Sequence, residues 1–202
     1  MPRRTREEAR EEIIEGAMRF LAVRPYRELT IPALMAQTSV ERTSFYTSFP
    51  SIPALVKEIL GRVSAELRTA GWTNYFTLDG DPREQMRQAI DAAIEVWSRH
   101  GPMLRAISEA APLDHELEEL WVGEVLASAV RASARRLRKE QRRGAAAKGD
   151  PDELALAVNR MIVVYLNERL GRPGNVDRKV IARTLETIII GGLYQREAAD
   201  GA

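Results

Sequence analysis

Residues that are typical of helix N-termini recur along this sequence, and the spacing between them predicts helices over most of the chain. Three residues are followed three positions later by Glu, the pattern of a capping box: Thr5, Asp81 and Asp150. Further residues suited to cap a helix N-terminus are Thr30, Ser51 and Asp177. The helices between these caps are interrupted by prolines, at Pro25, Pro50 and Pro112.

Apolar residues follow the helical period almost throughout, and strand-like alternation is absent. The sequence therefore predicts an all-α protein of about nine helices. Breaks are expected at Gly101–Pro102 and in the small-residue stretch 144–149. We expect a first domain over residues 1–50 and a second over residues 51–202.

Charge and composition exclude several classes of function. The 30 Lys and Arg balance 29 Asp and Glu for a net charge of +1, which gives no overall attraction to nucleic acid or to a membrane. With no Cys and two His, the chain cannot form disulfides, thiolate metal sites or sites built on several imidazoles. The charged N-terminus and the absence of a long apolar run predict a cytoplasmic protein without a membrane partner.

The first fifty residues have the pattern of a helix-turn-helix unit. A helix to about Val23 precedes two short helices that are joined by a turn near residues 38–40. Ile31, Leu34, Met35, Val40, Phe45 and Phe49 can pack on Ile14, Ala17 and Leu21, which leaves the polar face of the third helix at the surface. Such a helix can enter the major groove of DNA.

The stretch from Leu29 to Ser51 resembles the TetR family of transcriptional regulators. The resemblance rests on Leu34, Val40 and the aromatic pattern that closes the third helix, Phe45, Tyr46, Phe49 and Ser51. It implies a homodimer that binds double-stranded operator DNA through the helix-turn-helix. The candidate DNA-binding residues are Arg3, Arg4, Arg6, Thr30, Arg42, Thr43, Ser44, Tyr46 and Thr47. Arg42 is the best base reader, because its guanidinium matches guanine O6 and N7.

Four positions depart from the family pattern. The turn has Thr38-Ser39 where the family often has Ala-Gly, Glu41 replaces the usual Ser, and Ile52 replaces a phosphate-binding Lys. These departures keep open a second hypothesis, a helical lipid- or ligand-binding protein of the same fold with weak or lost DNA binding. Tyr46 could also be a half-buried helix residue, and Arg42 could pair with a carboxylate.

The remaining helices resemble the TetR branch that includes the mycobacterial ethionamide-resistance repressor, on the scattered residues Arg105 to Ala111, Glu119 to Trp121 and Ala157 to Asn159. That resemblance implies a pocket for a small, mostly apolar effector. The candidate ligand-binding residues are Met86, Ile90, Ala93, Trp97, Ile107, Trp121, Val125, Asn159, Ile162 and Leu166. Asn159 lies in an apolar stretch, so its amide needs either an internal partner or a ligand. The apolar residues could equally be simple core.

The last two helices carry more apolar residues than one buried face needs. TetR-like proteins dimerise through these helices, and the candidate interface residues are Leu154, Val158, Tyr165, Leu185, Ile188, Ile189 and Gly192. Gly191 and Gly192 each cost about 1 kcal/mol of helix propensity, which a close helix–helix approach would explain.

Residues 131–143 contain seven basic residues and one glutamate, a net charge of +6. We interpret this segment as a solvated face near a helix C-terminus, where positive charge is favourable. No pattern indicates an enzyme: no Glu-x-x-His repeat and no glycine-rich phosphate loop is present. No catalytic residue, metal site or cofactor is predicted. The expected function is a TetR-type transcriptional regulator, most simply a repressor.

Overall fold

The computed structural model describes residues 5–70, 75–76, 79–172, 174 and 176–194, and within these ranges it contains helices and no strand. The helices are α1 Arg6–Val23, α2 Ile31–Met35, α3 Arg42–Ser48, α4 Ile52–Thr69, α5 Pro82–Ala110, α6 His115–Glu118, α7 Ala127–Arg142, α8 Pro151–Leu170 and α9 Arg178–Leu193. A π-helical segment, Glu119–Leu126, joins α6 to α7 without a break. The predicted all-α class is confirmed, with eight continuous helices in the described residues.

The predicted caps form, although only one is described with both bonds of a capping box. Thr5 accepts a hydrogen bond from the Glu8 N–H at 3.1 Å, and the Glu8 carboxylate accepts one from the Thr5 N–H at 2.8 Å. Asp81 accepts from the Arg83 N–H instead, and the carboxylate of Glu84 contacts Arg87 at 2.7 Å. The reciprocal bond predicted for Glu84 is therefore replaced by an ion pair along the helix surface.

The break predicted at Gly101–Pro102 is wrong, because α5 continues through both residues. Gly101 lies where α5 meets the end of α8: a Cβ there would be 2.3 Å from the carbonyl oxygen of Leu170. Apolar residues of α5 are buried on both sides of Pro102, including Trp97 and Ile107. Packing along this length outweighs the hydrogen bond that proline removes.

Helix α5 lies at the centre of the fold and contacts α1, α4, α8 and α9. Because α1 carries the helix-turn-helix and α8 and α9 complete the body, one continuous apolar cluster links the two parts. In the N-terminal part, Leu34, Phe45 and Phe49 are buried together with Ile14. The predicted packing of α2 and α3 on α1 is therefore observed for these residues.

The interpretation of residues 131–143 as a solvated face is wrong for Arg136 and Glu140, which are buried. Their side chains form an ion pair, with 3.0 Å between Arg136 Nε and Glu140 Oε1. The guanidinium also donates to Gln85 Oε1 at 2.9 Å and to the carbonyl oxygen of Gly80 at 3.1 Å. Arg136 thus ties Gly80 and Gln85, at the beginning of α5, to α7.

Two buried tyrosines complete this cluster. The hydroxyls of Tyr75 and Tyr194 are hydrogen-bonded to each other, and Arg136 lies 5.7 Å from the centroid of the Tyr75 ring. Burial raises the pKa of Tyr75 to about 12 and also raises the pKa of Tyr194. Both phenols therefore stay protonated at neutral pH and serve as hydrogen-bond partners.

Replacing Arg136 by Met is expected to lower the free energy of unfolding by about 3–5 kcal/mol, because it leaves the buried Glu140 carboxylate with only the longer 3.8 Å contact to the exposed Arg143. Chemical denaturation followed by circular dichroism measures the change. The matched control is Arg135→Met, since Arg135 is exposed and should change stability by less than about 0.5 kcal/mol. Equal effects at the two positions would contradict the assignment of Arg136 as a structural anchor.

Candidate functional site

Helix α3 presents one polar face to solvent while its apolar side packs on α1 and α2. Phe45 and Phe49 are buried, and their ring centroids lie 5.9 Å apart. Four of the predicted DNA-binding residues are exposed on the other side: Arg42, Thr43, Tyr46 and Thr47. A fifth, Ser44, is half-buried. The structure therefore brings the α3 candidates together on one surface, which we call the reader face.

Arg42 and Tyr46 lie one turn apart on the reader face and contact each other. Arg42 donates to the Tyr46 hydroxyl at 3.2 Å, and its guanidinium carbon lies 5.9 Å from the ring centroid. Tyr46 is 56% exposed, so it is not the half-buried packing residue that the sequence left as an alternative. The Tyr46 ring therefore contacts the Arg42 guanidinium at the protein surface.

The hydroxyls of the reader face make local bonds. Thr43 donates to a carboxylate oxygen of Glu41 at 3.5 Å, and Thr47 donates to the carbonyl oxygen of Ser44 at 3.0 Å. Glu41 begins α3 without a side-chain cap bond. Its carboxylate is therefore an exposed negative charge at the start of this helix.

The other predicted DNA-binding residues lie around α3 or outside the described residues. Thr30 caps α2 by accepting from the Ala33 N–H at 3.3 Å, which places its backbone at the N-terminus of that helix. Arg6 donates to the carbonyl oxygen of Thr47, so the start of α1 is tied to the end of α3. Arg3 and Arg4 lie outside the described residues.

The turn between α2 and α3 is held by α1 through contacts that the sequence reasoning missed. The Glu12 carboxylate accepts bonds from the Ser39 N–H and from its hydroxyl, the latter at 2.8 Å. Gly16 allows the close approach, because a Cβ there would lie 2.8 Å from Cγ2 of Thr38. A glycine inside an otherwise regular helix was the signal that could have revealed this contact.

Helix α4 is joined to α1 by ion pairs as well as by apolar packing. Arg10 lies 3.1 Å from Glu58, and Arg62 pairs with Glu11. The hydrogen bond and charge of Arg62 hold the pKa of Glu11 below its ordinary value, and Arg10 does the same for Glu58. These ion pairs join α1, the first helix of the N-terminal part, to α4, the helix that follows the helix-turn-helix.

A cavity of about 260 Å³ lies in the body, walled by α4, α5, the π-helical segment, α7 and α8. Five predicted ligand-binding residues line it: Trp97, Trp121, Val125, Asn159 and Ile162. The other five are buried core residues that do not line it: Met86, Ile90, Ala93, Ile107 and Leu166. The helical period of the apolar residues predicted which face of α5 is buried. It did not predict which part of that face borders the cavity.

Nine further residues line the cavity: Ser64, Leu67, Arg68, Phe76, Leu126, Ser128, Ala129, Ala132 and Val163. The wall residues on α7, Ser128, Ala129 and Ala132, have small side chains, which leave space within the wall that they share with Trp97 and Trp121. Runs of small residues on a helix that otherwise buries an apolar face were the available signal. They predict a gap only once the facing helix is known.

Asn159 has internal partners and also lines the cavity. Its amide nitrogen donates to the Ser133 hydroxyl at 3.0 Å and to the carbonyl oxygen of Ala155 at 2.8 Å. Trp97 in turn donates its indole N–H to Asn167 Oδ1 at 2.9 Å. Both donors of the Asn159 amide are thus used inside the protein, and its oxygen remains as an acceptor.

The predicted interface residues of α8 and α9 do not all share one surface. Leu185 and Ile189 are buried in the core of their own chain, whereas Ile188 is 51% exposed. Other exposed apolar residues on these two helices are Leu156, Val164 and Val180. A Cβ at Gly191 or Gly192 would meet nothing within 4 Å. We call the exposed apolar surface of α8 and α9 the outer face.

Comparison with family models identifies both parts of the chain. Residues 13–59 match the model described as bacterial regulatory proteins, tetR family, and residues 86–195 match that of the transcriptional regulator EthR, C-terminal domain. The HTH-type transcriptional regulator EthR of Mycolicibacterium smegmatis is 27% identical over 186 residues, which cover 90% of this chain and 84% of the relative. EthR of Mycobacterium tuberculosis is 29% identical over 190 residues, covering 90% and 85%.

Solved structures share the fold at low identity. NalD of Pseudomonas aeruginosa, the secondary repressor of the MexAB-OprM multidrug efflux pump, matches with a TM-score of 0.75 and 16% identity over 96% of this chain and 99% of its own. A transcriptional regulator of Saccharomonospora viridis in complex with choline matches with a TM-score of 0.69 and 20% identity, over 94% and 100%. None of the helices in the described part of the chain has the length and apolar character needed to cross a membrane.

Proposed function

Because this chain belongs to the tetR family of bacterial regulatory proteins, with a C-terminal domain of the EthR type, we propose that it is a ligand-responsive repressor. It binds operator DNA as a homodimer and is released when a small, mostly apolar effector enters the cavity. The observation that carries the proposal is that α4 follows the reader face directly and lines the cavity at its other end. The protein acts in the cytoplasm without a cofactor or a membrane partner.

Residues 1–50 serve as the DNA-binding part and residues 51–202 as the ligand-binding and dimerisation part. In the first, the exposed guanidinium of Arg42 reads a base edge, and the Thr43, Ser44 and Thr47 hydroxyls contact bases or phosphates. Tyr46 contacts a phosphate beside Arg42. The backbone N–H groups at the start of α2, next to Thr30, bind another phosphate.

The reader face carries little net charge, so much of the attraction to DNA must come from groups outside it. Within α3 and its N-cap, Arg42 and Glu41 carry opposite charges, so this segment is nearly neutral. Arg3, Arg4 and Arg6 supply positive charge at the N-terminus and attract the phosphate backbone. Backbone contacts then supply affinity while the polar side chains of α3 supply specificity.

The outer face supports dimerisation. Its exposed apolar residues and the open space beside Gly191 and Gly192 fit the approach of α8 and α9 from a second copy. Of the interface residues predicted from the sequence, Ile188 and Gly192 belong to this contact, whereas Leu185 and Ile189 belong to the core beneath it. A two-fold dimer of this kind sets two reader faces about one DNA turn apart, roughly 34–36 Å.

The path from cavity to reader runs through α4. Its 18 residues span about 27 Å, with Leu67 and Arg68 at the cavity and Ser51 capping the start beside α3. Lys57 on α4 also lies 2.7 Å from Glu124 of the π-helical segment, the same segment that supplies Trp121 to the cavity. An effector that displaces these walls moves α4, and with it the spacing of the two reader faces.

A second function is favoured by two observations. Glu41 exposes a carboxylate at the start of α3, and α4 begins with Ile52 where a phosphate-binding lysine is usual in the family. Both weaken attraction to DNA. The alternative is a helical lipid- or ligand-binding protein that keeps this fold and has lost DNA binding.

Binding to DNA from upstream of the chromosomal neighbours, measured at several salt concentrations, separates the two functions. A repressor binds a preferred sequence with an affinity that falls as salt rises. Arg42→Ala should weaken operator binding by about 1–3 kcal/mol and relax specificity at one base pair. Arg131→Ala removes the same charge from α7 and should leave specificity unchanged. If the natural protein shows no salt-dependent binding with a sequence preference, the ligand-binding alternative is favoured.

The outer face is tested by Ile188→Lys, which places a charge in the proposed interface. Analytical ultracentrifugation should show a dimer for the natural protein and a monomer for this variant, because an unpaired buried charge disfavours association. Val23→Lys is the control, since Val23 is 82% exposed on α1. A dimer that persists in the Ile188 variant would show that the outer face is not the interface.

The cavity is tested by Ala132→Trp, which adds a ring to a small residue of its wall. Saturated alcohols such as decanol should raise the melting temperature of the natural protein and release it from operator DNA. Both responses should be lost in Ala132→Trp, because the added ring occupies the space. Arg131→Trp, an exposed change one residue earlier, should keep them. Responses that survive in the Ala132 variant would place the effector elsewhere.

A further inference from the structure

A second pocket, of about 440 Å³, opens at the surface where the end of α8 and the start of α9 pack on α5. Four arginines line it: Arg99 of α5, Arg169 of α8, Arg172 of the turn after α8, and Arg178 of α9. No Asp or Glu is among the described residues that line it. The fold therefore brings four positive charges from three helices and a turn to one concave surface, which we call the arginine pocket.

Close backbone contacts fix the elements that carry these arginines. A Cβ at Gly101 would lie 2.3 Å from the carbonyl oxygen of Leu170, so α5 and the end of α8 are in direct contact. The next residue, Gly171, accepts a hydrogen bond from Arg105 Nε at 3.0 Å through its carbonyl oxygen. The pocket arginines of α5 and α8 lie within two residues of this contact. Their backbone positions are thus set by packing, as a specific binding site requires.

Two of the four arginines already have carboxylate partners outside the pocket wall. Glu95 lies 3.5 Å from Arg99 and 3.1 Å from Arg178, and Glu66 lies 3.2 Å from Arg99. All of these side chains are partly exposed to solvent. Ion pairs of this kind add little stability, so an anion that meets several guanidiniums at once can compete with them.

The other two arginines are not paired in this way. Arg169 and Arg172 are exposed and have neither a hydrogen bond nor an ion pair within the part of the chain that the structure describes. Glu168 precedes both in sequence but does not line the pocket. Two positive charges of the arginine pocket are therefore not balanced by carboxylates of the described residues.

The arginine pocket stays accessible in the proposed dimer. An α-helix turns by about 100° per residue, so Arg178 and the outer-face residue Val180 lie on nearly opposite sides of α9. Arg169 follows the outer-face residue Val164 by five positions, which turns it about 140° around α8. The pocket therefore faces away from the surface that the second copy would cover.

We propose that the arginine pocket is a second ligand site, which binds a small molecule through a phosphate or pyrophosphate group. Guanidinium groups bind phosphate oxygens with paired, charge-assisted hydrogen bonds, and two unbalanced arginines match the charge of a dianion. The rest of such a molecule meets the apolar part of the wall, formed by Pro102, Leu170 and Val176. The site is separate from the apolar cavity and does not depend on the proposed effector response.

Arg99 connects the arginine pocket to α4. Its guanidinium lines the pocket and also contacts Glu66, whose carboxylate lies 3.0 Å from His100 as well. An anion that binds Arg99 weakens its pair with Glu66 and leaves the His100 contact in place. Occupation of the pocket therefore changes one of the polar contacts between α4 and α5.

Calorimetry on the full-length protein with pyrophosphate, adenosine 5′-diphosphate and adenosine tests the proposal. The two phosphate compounds should bind with affinities that fall as salt rises, and adenosine should not bind. Arg169→Gln combined with Arg172→Gln should weaken pyrophosphate binding about tenfold or more. The matched control combines Arg131→Gln with Arg135→Gln, which removes two exposed arginines from α7 and should leave the affinity unchanged.

A change of the opposite sign gives a second test. Glu95→Gln should tighten pyrophosphate binding, because it releases Arg99 and Arg178 from their shared carboxylate. Glu153→Gln, in the first turn of α8, makes the same change of net charge at the other end of that helix and should have no effect.

The outcomes also identify the source of the phosphate. Tighter binding of adenosine 5′-diphosphate than of pyrophosphate would assign the site to an organic phosphate, and the reverse order to the inorganic ion. Absence of pyrophosphate binding, or equal affinity in the natural protein and the Arg169→Gln/Arg172→Gln variant, would overturn the proposal. If that variant instead lost operator binding while pyrophosphate did not bind, the pocket would serve DNA and the assignment to a small molecule would be wrong.

Discussion

The burial of α5 is the constraint on which the rest of this structure depends. Its apolar residues contact α1 on one side and α8 and α9 on the other, so the helix-turn-helix and the body share a single core. Gly101 shows how strictly the contact is set, because any larger residue would meet the carbonyl oxygen of Leu170. Because the helix-turn-helix shares its core with the body, it cannot move independently on a linker. Its position depends on the positions of the body helices.

The helix-turn-helix departs from the family pattern at the turn, and the same chain supplies the compensation. Ser39 replaces a residue that is often glycine, but the Glu12 carboxylate accepts bonds from both its N–H and its hydroxyl. Thr38 adds a methyl group, and the missing side chain of Gly16 leaves room for it. Since both compensating residues lie on α1, the turn departs from the usual sequence without losing its support. By contrast, the Glu41 side chain makes no cap bond to the backbone and accepts only a long bond from the Thr43 hydroxyl, so it leaves an exposed negative charge at the start of α3.

Local signals predicted the helices well, whereas features that depend on distant parts of the chain were missed. Capping residues such as Thr5 act within one turn, so the sequence alone places them. Pro102 failed as a break because its effect is opposed by packing against α8, which begins about 50 residues further along the chain. Arg136 was indistinguishable from its exposed neighbours until Gly80 and Gln85 were brought to it by the fold. For the cavity, Ile90 and Trp97 belong to the same apolar stripe of α5, and only the facing helices decide that Trp97 borders empty space.

The ion pairs between α1 and α4 lie between the cavity wall and the reader face. Arg10–Glu58 and Arg62–Glu11 lie along the contact between these helices, and each is partly shielded from solvent. Pairs of this kind add little stability individually, about 0–1 kcal/mol each, so apolar packing must supply most of the stability of this contact. In the proposed ligand response, α1 and α3 would move together with α4, because α1 contacts both of these helices. Lys57–Glu124 joins the same helix to the cavity wall. Helix contacts and ion pairs thus connect the cavity wall at Leu67 to α3 through α4 and α1, and the proposed ligand response would use this route.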